Sequence, residues 1–188
     1  MESYLKRELD SNEIIHHIDG NRLNNDISNL FLCCRRSHMD CHISMSEIGF
    51  SLLNKDIWFD YEDKVYVFEK REIPKFTFRS NDLVTGTLQN RRRKNGRLKY
   101  ITHRNKETKS KRYLHCLVAE MMIKRNLSSL EIVHHVDGNG LNNEPENLSV
   151  MTKKKHSQCH LSLSQCVGRL VKMGAVGFEN GIYYAKER

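Results

Sequence analysis

The sequence predicts an α+β fold built by tandem duplication of one small module with flanking β-hairpins. One string of residues occurs twice, 118 positions apart and without a gap. Each copy also reads as strand, loop, strand and helix in the same order. Only 38% of residues are apolar and the mean hydropathy is −0.64, so each copy can bury only a small core. A fixed internal period takes precedence over any reading of single elements, because missing it miscalls the fold.

The first copy reads Glu13-Ile14-Ile15-His16-His17-Ile18-Asp19-Gly20-Asn21, then Leu23-Asn24-Asn25, Asn29-Leu30 and His38-Met39-Asp40-Cys41-His42. The second reads Glu131-Ile132-Val133-His134-His135-Val136-Asp137-Gly138-Asn139, then Leu141-Asn142-Asn143, Asn147-Leu148 and His156-Ser157-Gln158-Cys159-His160. Residues 1–46 and 119–164 agree at 22 positions, Arg7/Arg125 and Ser44/Ser162 among them. The β-branched run in each copy predicts a short strand, and Asp-Gly-Asn predicts a turn. A second strand is expected at Leu30–Leu32 and Leu148–Val150. Helices follow at Arg35–Ser46 and Lys153–Ser164, with Thr152 as a cap for the latter.

A hairpin is expected after each helix. The first runs through Ile57-Trp58-Phe59 and Val65-Tyr66-Val67-Phe68. The second runs through Val176-Gly177-Phe178 and Ile182-Tyr183-Tyr184, across the type I′ signal Asn180-Gly181. Residues 72–118 have no counterpart in the first half. They suggest a strand at Lys75–Phe78, a short helix capped near Ser80 or Asn81, and a basic hairpin over Leu98–Val118. The organisation expected is thus a first module at 1–71, shortened at its amino end, a connecting segment at 72–118 and a second module at 119–188.

The net charge of +8 is concentrated. Between Arg91 and Tyr113 there are eleven Lys/Arg and one acid, so this stretch carries +10 and the remainder about −2. Such a focus suits a polyanion. Arg91, Arg92, Arg93, Lys94, Arg97, Lys99, Arg104, Lys111 and Arg112 are the candidate phosphate contacts. No stretch is apolar enough to span a membrane, and the start lacks a signal-peptide core. The six cysteines have no regular framework, which suggests reduced thiols packed in a cytoplasmic protein, in a host's cytoplasm if the gene is viral.

Eight of the ten histidines fall inside the repeated strings. His38 and His42 are one helical turn apart, as are His156 and His160, so each pair can share one ion. His16 and His134, on the adjacent strands, are natural third ligands. Three histidines with positions left open suit a catalytic rather than a closed structural centre. Neighbouring strand residues face apart, so His17 and His135 are free for another task, that of a general base. Asn29 and Asn147 are placed to pin the loop to both strands and to hold the base in place. Cys41 and Cys159 sit one residue off the histidine face and read as packing residues.

These marks together resemble the HNH endonucleases of the ββα-metal superfamily, especially the small phage and intron-encoded homing type. The His-x-x-x-His ending is also similar to the colicin-type nuclease site. The resemblance covers residues 13–42 and 131–160 and extends weakly upstream, to Lys99–Tyr113 and His115-Cys116-Leu117-Val118-Ala119-Glu120. It implies a metal-dependent DNA endonuclease with His17 and His135 as general bases. His16, His38, His42, His134, His156 and His160 would be metal ligands, and Asn29 and Asn147 structural asparagines. One divalent metal ion per module is implied, magnesium, manganese or zinc; histidine ligands suit zinc or manganese better than magnesium. The expected partner is double-stranded DNA, cut by a monomer acting as a pseudo-dimer. Two other readings stay open: a metal-stabilised nucleic-acid-binding protein without cleavage activity, and a chain with only one catalytic module.

Overall fold

In the computed structural model, Glu13–His17 forms strand β1 and Leu30–Cys34 forms β2, paired antiparallel with His16 opposite Phe31. Helix α2 follows directly over Arg35–Ser51. The second copy repeats this order: β8 (Glu131–His135) pairs with β9 (Leu148–Thr152), and α4 (Lys153–Lys172) follows. The structure describes residues 1–83, 87–92, 98–105 and 108–186. Both helices run beyond the sequence expectation, α4 by two turns. The fold is α+β, with small separate sheets and four helices among the described residues.

Loop chemistry explains why the strand pairs close at this length. The Asn29 side chain accepts from Asp19 N–H at 2.9 Å and donates to Asp19 Oδ1 and to the Asn24 carbonyl, each at 2.9 Å. Asn24 donates to Asp19 Oδ2 at 2.9 Å. Asn147, Asp137 and Asn142 repeat every one of these bonds at 2.7–2.9 Å. Gly20 and Gly138 adopt φ of 68° and 70°, a left-handed turn that side chains with a Cβ disfavour. The repeated Arg/Glu residues are ion pairs: Arg7 grips Glu13 and Arg125 grips Glu131, each through two nitrogens.

The connecting segment departs from expectation. Lys75–Phe78 is not a strand. It pairs with no strand among the described residues, and Phe78 packs against Leu114, Val118 and Leu148. The short helix is a 3-10 turn at Ser80–Leu83. The basic region is a three-stranded sheet of β5 (Thr87–Arg92), β6 (Leu98–Arg104) and β7 (Lys111–Tyr113), and helix α3 (Leu114–Ile123) takes over where the hairpin was expected to continue to Val118. At the amino end, the four-residue helix α1 (Glu2–Leu5) occupies the place of the last turn of α3.

The chain divides into two compact units. One holds Met1–Trp58, Val65–Lys70 and Cys159–Arg188; the other holds Phe59–Lys64 and Arg71–Gln158. The hairpin β3 (Trp58–Asp60) and β4 (Val65–Val67) follows α2, and β10 (Val176–Glu179) and β11 (Ile182–Ala185) follow α4. Within the first unit β10–β11 packs beside His16, although it comes from the far end of the chain. Within the second unit Phe59, from the hairpin after α2, lies beside His134 at 5.9 Å between ring centroids. Nothing local in the sequence marks this exchange.

In the first unit, Gly49 of α2 faces Leu163 and Val167 of α4, and Cys41 and Met45 of α2 are buried. Gly168 lets α4 meet the first loop, because a Cβ there would lie 2.0 Å from the Asp19 carbonyl oxygen. Lys172 reaches Asp19 Oδ2 at 3.0 Å. Gly168→Ala should therefore destabilise the protein by about 1–3 kcal/mol, the usual cost of overpacking against backbone. Urea unfolding would show it as a lower midpoint at unchanged slope.

Candidate metal centres and active site

His16 lies on β1, 2% exposed, and His38 and His42 project from successive turns of α2. Their ring centroids are 5.3, 5.0 and 4.7 Å apart, edge to face. The three offer nitrogens within 4.8 Å of one another. Burial, then the neighbouring His42, His38 and His17, push the His16 pKa down to about 4. Burial, then His38 and Arg22, lower that of His42. Neutral imidazoles at working pH are what a cation needs, since a protonated ring has no lone pair to give.

The donor set fits a divalent transition metal. Nitrogens bound at about 2.1 Å sit roughly 3–4 Å apart, within easy reach of the observed spacing. Three neutral nitrogens and no carboxylate favour zinc or manganese-like ions over magnesium. His134, His156 and His160 form the corresponding group, their nitrogens again within 4.8 Å. His134 and His156 are 5.2 Å apart between centroids, and burial lowers the pKa of His156. Cys41 and Cys159 are fully buried thiols outside both groups.

His17 points away from its neighbour and brings Nε2 within 3.2 Å of Asn25 Oδ1; His135 Nε2 lies 3.3 Å from Asn143 Oδ1. Asn143 also donates from Nδ2 to the Leu141 carbonyl, which fixes its amide so that oxygen faces the imidazole. An amide oxygen only accepts, so Nε2 carries the proton and Nδ1 keeps the lone pair. The second Asn of each Asn-Asn pair thus orients the second histidine of the strand. The residues were conspicuous in sequence, but only the folded loop brings a position eight residues on back to the strand. Asn29 and Asn147 contact Asp19 and Asp137, not the histidines; they hold the loop.

His17 and His135 differ in their surroundings. His135 is buried, with Tyr100 stacked on it at 6.0 Å and His115 edge-on at 5.1 Å. His115 stacks in turn on Tyr113 at 5.2 Å, and its buried Nδ1 has no hydrogen-bond partner. Burial, then His135, push the His115 pKa down to about 4. These rings come from the segment with no counterpart in the first half.

Of the basic candidates, Arg104 and Lys111 are exposed and face each other across β6 and β7. Lys111 donates to Gln89 Oε1, and Arg112 is held by both oxygens of Glu120. Arg91 and Arg92 lie on β5 and Lys99 on β6. Arg93, Lys94 and Arg97 fall outside the described residues.

Residues 7–40 and 112–158 match the family of HNH endonucleases. The two separate segments are consistent with two HNH motifs. Each matched segment includes a His-His strand and the Asp/Asn loop; the metal-facing helix is covered only in part, to Asp40 and to Gln158. Comparison with curated proteins and with solved structures returns no match. No helix among the described residues is long and apolar enough to cross a membrane.

Two outcomes test this geometry. Asn147→Ala removes the acceptor of Asp137 N–H and the donor to Asp137 Oδ1 and the Asn142 carbonyl, and should cost about 1–3 kcal/mol, read by urea unfolding. The acid response follows from His115. It stays neutral in the fold to about pH 4 but takes a proton near 6.5 in the unfolded chain. The unfolded state then binds more protons in that window, so stability falls as pH drops from about 6.5 to 4. His115→Phe keeps the stacking and should make that fall shallower in thermal melts of metal-free protein.

Proposed function

We propose that the protein is a metal-dependent endonuclease that hydrolyses phosphodiester bonds in double-stranded DNA, one strand at each HNH motif. The observation that carries this reading is the pairing, in both copies, of an amide-oriented histidine with a three-histidine group on the opposite face of the same strand. A structural metal site has no use for the first of these.

His16, His38 and His42 would hold one divalent ion, and His134, His156 and His160 another. When bound, the ion neutralises charge on the scissile phosphate and its leaving oxygen. His17 and His135 accept a proton at Nδ1 from the attacking water as its oxygen bonds to phosphorus. The bond from phosphorus to the leaving oxygen then breaks, that oxygen keeping the electron pair. Asn25 and Asn143 keep the imidazoles in the tautomer this requires and stabilise the positive ring that results. Arg104 and Lys111, both exposed, would take phosphates away from the cut, which makes binding salt-dependent without itself reading sequence.

Supercoiled plasmid with manganese, magnesium or zinc tests the proposal. Wild-type protein is expected to linearise it, His17→Ala and His135→Ala each to nick it, and the double variant to leave it intact. Linearisation by His17→Ala at the wild-type rate would leave the second motif as the catalytic one, consistent with the rings that enclose His135 alone. No cleavage with any metal, with salt-sensitive binding retained, would refute nuclease activity.

A further inference from the structure

The hairpin β10–β11 has no task in the reaction just described, yet it is built into the first metal centre. Tyr183, on β11, is 4% exposed, and its hydroxyl lies 2.7 Å from His16 Nε2. The same hydroxyl donates to the Ile18 carbonyl at 2.7 Å. A phenol has one proton to give. With that proton on Ile18, the oxygen can only accept from His16, so Nε2 carries hydrogen and Nδ1 keeps the lone pair.

Packing holds the arrangement on every side. Phe178 stacks on the His16 ring at 5.8 Å and meets Tyr183 at 4.8 Å and Phe31 at 5.1 Å. Ser44, on the helix that carries His38 and His42, accepts from Tyr183 N–H at 3.3 Å and donates to the Gly181 carbonyl at 3.4 Å. One hairpin therefore touches the strand that supplies one ligand and the helix that supplies the other two.

We propose that the carboxyl-terminal hairpin completes the first metal centre, with Tyr183 as the positioning residue that accepts from His16 Nε2–H and leaves Nδ1 as the nitrogen offered to the metal. This rests on the metal-binding role assigned to His16, His38 and His42 above. A partner that fixes tautomer and ring orientation typically contributes 10–100-fold in metal affinity. The chain's own order makes the point unexpected. The segment after the second motif serves the first, so the first motif's metal site would not be complete within the first half.

The test uses the full chain with the second centre disabled by His156→Ala and His160→Ala, titrated with zinc by calorimetry. Tyr183→Phe, which keeps the ring and removes the hydroxyl, should weaken zinc binding 10–100-fold at unchanged stoichiometry. Affinity equal to the parent within twofold, or tighter, would overturn the proposal and leave metal binding standing. Long-range nitrogen-15 spectra of the zinc-loaded parent decide the matter should Tyr183→Phe not fold. His16, assigned with His16→Gln, should show a protonated Nε2 and a metal-bound Nδ1, and the reverse would overturn it. No zinc uptake by the parent would defeat this inference and the metal role together.

Discussion

The Asp–Asn loop network is the constraint on which the rest depends. Asn29 bonds to backbone and side chain of Asp19 at once, and the Asn29 carbonyl receives Ile18 N–H. These bonds fix where β1 ends and β2 begins, and hence the register that sets His16 opposite Phe31. Slipping that register by one residue would exchange the faces of His16 and His17. The metal group and the base would then trade places. A loop held by side-chain hydrogen bonds, rather than by apolar packing, suits a module with so small a core. Burial alone would raise the Asp19 carboxyl, but hydrogen bonds from Asn24, Asn21 N–H, Lys172 and Asn29 bring it down to about 2. The acceptor at the centre of the network is thus charged at any working pH.

Much of this was readable in the chain. The strands, the loop, the start of each helix and the histidine spacing are local, period-dependent signals. The role of Asn29 could be anticipated from its distance along the chain, because an amide at a loop end has few other uses. What stayed hidden is long-range. Tyr183 reads in sequence as ordinary hairpin packing, and nothing near it points to His16, 167 residues away. Lys75–Phe78 alternates like a strand but pairs with no strand among the described residues, and a strand without a partner is not stable. Pairing Asn25 with His17 needed the loop geometry, since two Asn in sequence look alike until one is seen to face the base.

Duplication has kept the chemistry and varied the surroundings. Every loop hydrogen bond among Asp, Asn and Asn recurs between the copies, as do the bidentate Arg–Glu pairs. His17 and His135 do not share an environment. His17 has its Asn25 bond, whereas His135 also has Tyr100 and His115 about it. The first metal group has Tyr183 and Phe178 from the chain's last hairpin. Two centres of the same ligand type in different settings need not share one metal affinity or one rate, and the difference lies in supporting residues outside the motif.

Each of the two three-histidine groups is expected to hold one metal ion. Anomalous diffraction from crystals grown with zinc or manganese tests it most directly. Two peaks are predicted, one coordinated by His16, His38 and His42 and one by His134, His156 and His160. Peaks elsewhere, or density without metal at both groups under saturating ion, would contradict it.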